Sequence, residues 1–121
     1  MAFRSLLKDL VDRASGARGA VFCDVEGEFV DLAIKDEALT HYDLRAFGAH
    51  LAAPWLNLQA GSAQAGAGEI VELKIGCAGG TLLCRSLRDG YYLVLLLAHG
   101  SAVAPAAFEM RRCAEQVVSE L

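Results

Sequence analysis

Arg18-Gly19-Ala20-Val21-Phe22-Cys23-Asp24-Val25-Glu26-Gly27-Glu28 runs straight into Phe29-Val30-Asp31-Leu32-Ala33-Ile34. Two apolar runs flank a short polar segment, Val25-Glu26-Gly27-Glu28, in which Gly27 can supply the positive φ of a tight connection. Arg18 to Asp24 therefore reads as one strand and Phe29 to Ile34 as the next, joined as a hairpin.

Upstream of this hairpin, Phe3, Leu6, Leu7, Leu10 and Val11 recur at helical spacing, with Arg4, Lys8, Asp9, Asp12 and Arg13 on the other faces. Ser15-Gly16 ends that helix, because glycine accepts the left-handed backbone that closes a last turn.

Downstream, a polar break at Lys35 to Glu37 precedes Leu44, Phe47, Gly48, Leu51, Trp55 and Leu58, spaced as a second helix of about four turns. Pro54 removes an amide bond to the carbonyl of His50, so a kink or break is expected there and the rigid part should end near Gln59. Ala60 to Gly68, nearly all Ala, Gly, Ser and Gln, reads as a flexible connection.

A clean alternation through Val71, Glu72, Leu73, Lys74 and Ile75 marks a strand from Glu69 to Cys77, closed by the turn Ala78-Gly79-Gly80. Thr81 to Leu87 and Tyr91 to Leu97 follow as strands on either side of Arg88-Asp89-Gly90, a tight hairpin connection. Tyr92 to Leu97 is apolar at every position, which suits a central strand covered on both faces. Pro105 stands where a first helical turn tolerates it. Val103, Ala107, Met110, Ala114, Val117 and Leu121 then form one stripe, with Glu109, Arg111, Arg112 and Glu115 outside it.

The element order is α-β-β-α-β-β-β-α, an α/β (α+β) three-layer arrangement. Its five-stranded sheet is mainly antiparallel and carries helices on both faces. At 121 residues the chain has the size of a single domain, 1–121.

Hydrophobic residues make up 55% of the chain and charged residues 21%, enough apolar area to offset backbone ordering. A net charge of −4, without a basic stripe, argues against nucleic acid as a partner. Charges scattered through residues 4–13 exclude a secretory leader as the reading of the N-terminus. The uncharged stretches Ala46 to Gly68 and Tyr91 to Phe108 are broken by Gly, Pro, His, Ser or Asn, so no membrane span is expected. Cys23, Cys77, Cys84 and Cys113 have no metal-ligand spacing and read as reduced cytoplasmic thiols, each buried and inert.

The element order, the stretch from Arg18 to Glu28 and the strand Asp89-Gly90-Tyr91-Tyr92-Leu93-Val94-Leu95 together resemble the roadblock family of dynein light chains and their bacterial relatives. The resemblance spans almost the whole chain and implies a roadblock/profilin-like fold. It further implies a homodimer whose third strands pair across a two-fold axis, with the second helices side by side over the joined sheet. Such dimers are platforms for small Ras-like GTPases or larger assemblies. In a bacterial branch linked to gliding motility, the resemblance implies activation of a Ras-like GTPase through that partner's own active site.

Phe47 and Trp55 are either anchors for a partner or cover for the sheet. Tyr42, Arg45, Ala49 and Ala52 share another side of the second helix, where small alanines would let a second helix come close. Glu72 and Lys74 share a face of an edge strand, either guarding it or pairing it with its own copy.

His41, His50 and His99 lack a carboxylate or second ligand at a recognised spacing, so no catalytic residue is expected. The glycines from Gly76 to Gly80 precede a strand and no Lys-Ser/Thr, which excludes a phosphate-cradling loop. Asp24, Glu26 and Glu28 are too few donors for a metal. No cofactor or metal is expected, and the sequence points to an interaction protein that regulates a GTPase. A scaffold subunit without effect on GTP turnover, or a small-molecule sensor, are the rival readings.

Overall fold

A computed structural model describes residues 2–121. Its elements are α1 (Ala2–Arg13), β1 (Ala17–Cys23), β2 (Phe29–Ile34), α2 (His41–Gln64), β3 (Glu72–Cys77), β4 (Gly80–Ser86), β5 (Tyr92–Ala98) and α3 (Val103–Ser119). All strand pairs are antiparallel, in the spatial order β2-β1-β5-β4-β3. The three-layer fold read from the sequence is the one observed, with β5 in the middle of the sheet.

Strand periodicity sorts β1 between two cores. Ala20 and Phe22 face the layer built by α1 and α3, where they join Leu7, Leu10, Leu93, Leu95, Met110 and Val117. Val21 and Cys23 face α2, with Leu32, Leu44, Trp55, Tyr92 and Val94. Fully burying one such Leu or Phe side chain contributes about 1.5–3 kcal/mol. The rings of Phe3 and Phe22 meet edge to face at 5.0 Å and tie α1 to the sheet.

Helix α2 begins at a capping box. The Asp43 amide donates to the Thr40 hydroxyl at 3.0 Å, and the Thr40 amide donates to the Asp43 carboxylate at 3.1 Å. The helix then runs unbroken through Pro54 to Gln64, which corrects the expected break and the expected end near Gln59. His50 and Pro54 are both exposed, so the carbonyl that Pro54 leaves without an amide lies on the solvent side. Ala60 and Ala63 are strong helix formers and extend the element, so the flexible connection is shorter than its composition suggested. Strand β3 likewise starts at Glu72 rather than Glu69.

The tight connection before β5 is present, with Asp89 (φ 61°) and Gly90 (φ 81°) both in the left-handed region. Pro105 sits in the first turn of α3, where its missing amide would have had no helical partner.

Candidate interaction surface

A helix is about 10–12 Å across and neighbouring strands are about 4.8 Å apart, so one helix covers only two or three strands. Two helices lie on one face of this five-stranded sheet, and α2 lies alone on the other, packed chiefly on β1 and β2. Beyond the reach of α2, the apolar side chains Leu73 and Ile75 of β3 and Leu96 of β5 stay half-exposed. Phe47 and Leu51 of α2 border this area and are also half-buried, and Leu58 is exposed.

Two features fix α2 over β1. At Gly48 a Cβ would lie 2.7 Å from the Cys23 sulfur, so only glycine lets the helix come this close. The buried Tyr92 hydroxyl donates to the Gly48 carbonyl at 2.8 Å. Burial pushes the Tyr92 hydroxyl's pKa well above its usual range, which keeps it a donor, and pushes the neighbouring Cys23 thiol up to about 11. Trp55 is only 5% exposed, with its ring 6.3 Å from that of Tyr92. It covers the sheet, out of reach of a partner in this conformation.

Tyr42, Arg45 and Ala49 come together with Gly27, Phe29 and His50 around one groove. Tyr42 is 77% exposed, and the Arg45 guanidinium stacks 4.7 Å above the Phe29 ring. Ala49 and Ala52 are small because the chain's own hairpin comes close. A Cβ on Gly27, whose φ is +85°, would lie 2.9 Å from the Ala52 side chain and 3.2 Å from the Ala49 backbone.

Glu72 and Lys74 lie elsewhere, on the α3 side of β3, rimming a groove of about 310 Å³ with Leu83, Val103, Ala107 and Met110. Arg85 and Arg111 donate to the Glu72 carboxylate at 2.6 and 3.4 Å.

The two outer strands differ at their free edges. On β2 the amide of Leu32 donates to the Asp31 carboxylate at 2.9 Å, and Arg4 holds that carboxylate at 3.1 Å. On β3, Ser86 donates to the Val71 carbonyl, so residues 71, 73, 75 and 77 bond towards β4 and Glu72, Lys74 and Gly76 turn their peptide groups outward. Among the described residues no side chain takes up those three peptides. The sequence carried the β3 alternation openly, but it gave no sign of the Asp31 plug.

Of the four thiols, Cys84 and Cys113 are buried and pushed up to about 12 by desolvation. Cys77 departs from expectation and is exposed, at the end of an edge strand beside Gly76 and Gly79, which have open space around them. His41 opens α2, His50 lies further along it and His99 sits in the turn before α3. No group of three or more metal-ligating side chains occurs among the described residues, and none of the described helices is long and apolar enough to cross a membrane.

No family model matches the chain, and no curated protein does either. Solved structures do. MglB of Myxococcus xanthus superimposes with a TM-score of 0.87 at 12% identity, over 98% of this chain and 94% of that one. A Roadblock/LC7 domain from Streptomyces avermitilis gives 0.82 at 16% identity, over 94% and 92%. MglC of Myxococcus xanthus gives 0.72 at 25% identity, over the full length of both chains.

Proposed function

We propose that this chain, whose fold is that of MglB and the Roadblock/LC7 domains, is a single roadblock-type module that works as a homodimer and regulates a small Ras-like GTPase. The observation that carries the reading is the half-covered face. An apolar area of Leu73, Ile75 and Leu96 lies beside an open strand edge, and a second copy satisfies both at once. Pairing β3 with the partner's β3 closes the edge. It also brings the partner's α2 over the half-exposed side chains of β3 and β5, beside the first α2.

In this arrangement Glu72 and Lys74 sit at the seam. Tyr42, Arg45, Ala49 and Ala52 form the exposed flank of α2 offered to a GTPase, and Trp55 holds the helix in place beneath them. The chain supplies no catalytic group, cofactor or metal, and acts in the cytoplasm by reshaping its partner's active site. The choice of a GTPase is supported by the fold likeness to MglB together with the roadblock pattern in the sequence.

The test is to mix the protein with the Ras-like GTPases encoded beside its gene, measuring binding and GTP turnover together. Binding with altered turnover is the expected result. Binding with turnover unchanged points to a scaffold instead, and no binding to any of them contradicts the proposal.

A further inference from the structure

The open edge of β3 has two ends, and both are fixed by the chain itself. Downstream, Cys77 leads into the turn to Gly80. Upstream, the Ile70 amide donates to Gln59 Oε1 at 2.7 Å, and Gln59 Nε2 donates back to the Ile70 carbonyl at 3.0 Å. The Ile70 side chain also turns into the core beneath α2, the face shared by Leu73 and Ile75, so strand alternation ends there. A carboxamide that takes both peptide groups of one residue does what a neighbouring strand would do. Ile70 therefore has nothing left to offer a partner.

Resting on the self-pairing of β3 proposed above, we infer that Gln59 is a register stop that sets the two-fold axis of the dimer at Lys74. Glu72, Lys74 and Gly76 are the outward-facing residues, and Lys74 is their midpoint. Antiparallel pairing about it puts Glu72 opposite the partner's Gly76 and Lys74 opposite the partner's Lys74, and every outward peptide group is used. Gly76 has no side chain, so each Lys74 can lean diagonally over it towards the partner's Glu72, a separation of about 7–8 Å that long side chains span.

The competing register, one residue back, centres on Leu73 and sets Glu72 directly opposite the partner's Lys74. It leaves Gly76 facing the partner's Ile70, whose peptide Gln59 already occupies. Charge does not separate the two registers, because Arg85 and Arg111 already neutralise Glu72 within the protomer.

Disulfide trapping reads the register. In a Cys77→Ser background, Leu73→Cys and Ile75→Cys are made as separate proteins. Leu73 and Ile75 bond inward to β4, so on the outer side they occupy non-hydrogen-bonded positions, where opposed Cα atoms come about 4.5 Å apart with their side chains closest, within the reach of a disulfide. With the axis at Lys74, residue 73 faces the partner's residue 75. Under a mild oxidant the expected cross-link then forms when the two variants are mixed and in neither alone.

Adding Gln59→Leu frees Ile70, and Leu73→Cys alone then cross-links at least several-fold faster. Cross-linking of Leu73→Cys by itself with Gln59 intact overturns the inference, as does an unchanged pattern after Gln59→Leu. A monomer by light scattering overturns the self-pairing reading itself, whereas a dimer with the wrong cross-link overturns the register alone.

Discussion

At the outer edge of β2, an acidic side chain one residue upstream takes the outward-facing Leu32 amide and is itself held by an arginine from α1. At the outer edge of β3, the charged side chains Glu72 and Lys74 lie towards α3 and leave their own outward peptide groups bare. Both strands are short and both carry charge, so composition does not separate them. What separates them is where the charge is aimed. A carboxylate bonded to the backbone closes an edge, and one bonded to Arg85 leaves it open. The open edge is also the one beside the uncovered apolar area, so two unsatisfied features coincide on one side of the molecule.

The largest effect expected from breaking this contrast is at Lys74. Its amide points outward, so Lys74→Pro removes no bond within the protomer, yet it takes a donor from each copy at the seam and puts a ring there. Self-association should weaken by about a hundredfold, equivalent to about 2.7 kcal/mol. Sedimentation across a concentration series measures this, while the thermal midpoint of the dilute protomer stays nearly unchanged.

Gly48→Ala tests whether the lopsided cover really depends on how tightly α2 sits on β1. The added Cβ meets the Cys23 sulfur at 2.7 Å, so urea unfolding should show a loss of about 1–3 kcal/mol.

Asp31→Ala opens the closed edge. It strips the Leu32 amide of its partner, costing about 1 kcal/mol. It also makes β2 a second sticky edge, read as concentration-dependent aggregation on mild heating that the parent does not show.

The last expectations concern the thiols. At pH 8 a thiol reagent should label Cys77 alone in the native protein, and all four cysteines after unfolding. The three buried thiols also set a pH dependence. Unfolded, they ionise near 9, and folded only near 11 to 12, so the unfolded state holds fewer protons between those values. Stability is therefore full below about pH 9 and falls above it, by at most about 1.4 kcal/mol per pH unit for each thiol. Urea midpoints at pH 8 and pH 10.5 should differ in that direction.

The helices, the strands and the central place of β5 were legible in the sequence because periodicity reports burial directly, as it does in Val71 to Ile75 and Tyr92 to Leu97. The length of α2 was not. Ala60-Gly61-Ser62-Ala63 has the composition of a linker, and what holds it helical includes contacts the local pattern does not announce, such as the bonds from Gln59 to Ile70 and from Ser62 to the Gly68 carbonyl. Tyr42, Arg45 and Ala49 were readable as a surface cluster on one helix flank. That Ala49 and Ala52 make room for Gly27 depends on a contact more than 20 residues away in sequence. Asp31 and Gln59 were missed because each acts on a backbone group, and a carboxylate or carboxamide shows nothing in the sequence of which peptide it will reach.

The most direct measurement is the molar mass in solution, by light scattering at micromolar concentration, of the 12.9 kDa chain. An open β3 edge beside a half-covered face predicts a mass twice that of the protomer, falling to the protomer's own mass in Lys74→Pro. A parent protein that stays at the mass of one chain throughout the concentration range would contradict it.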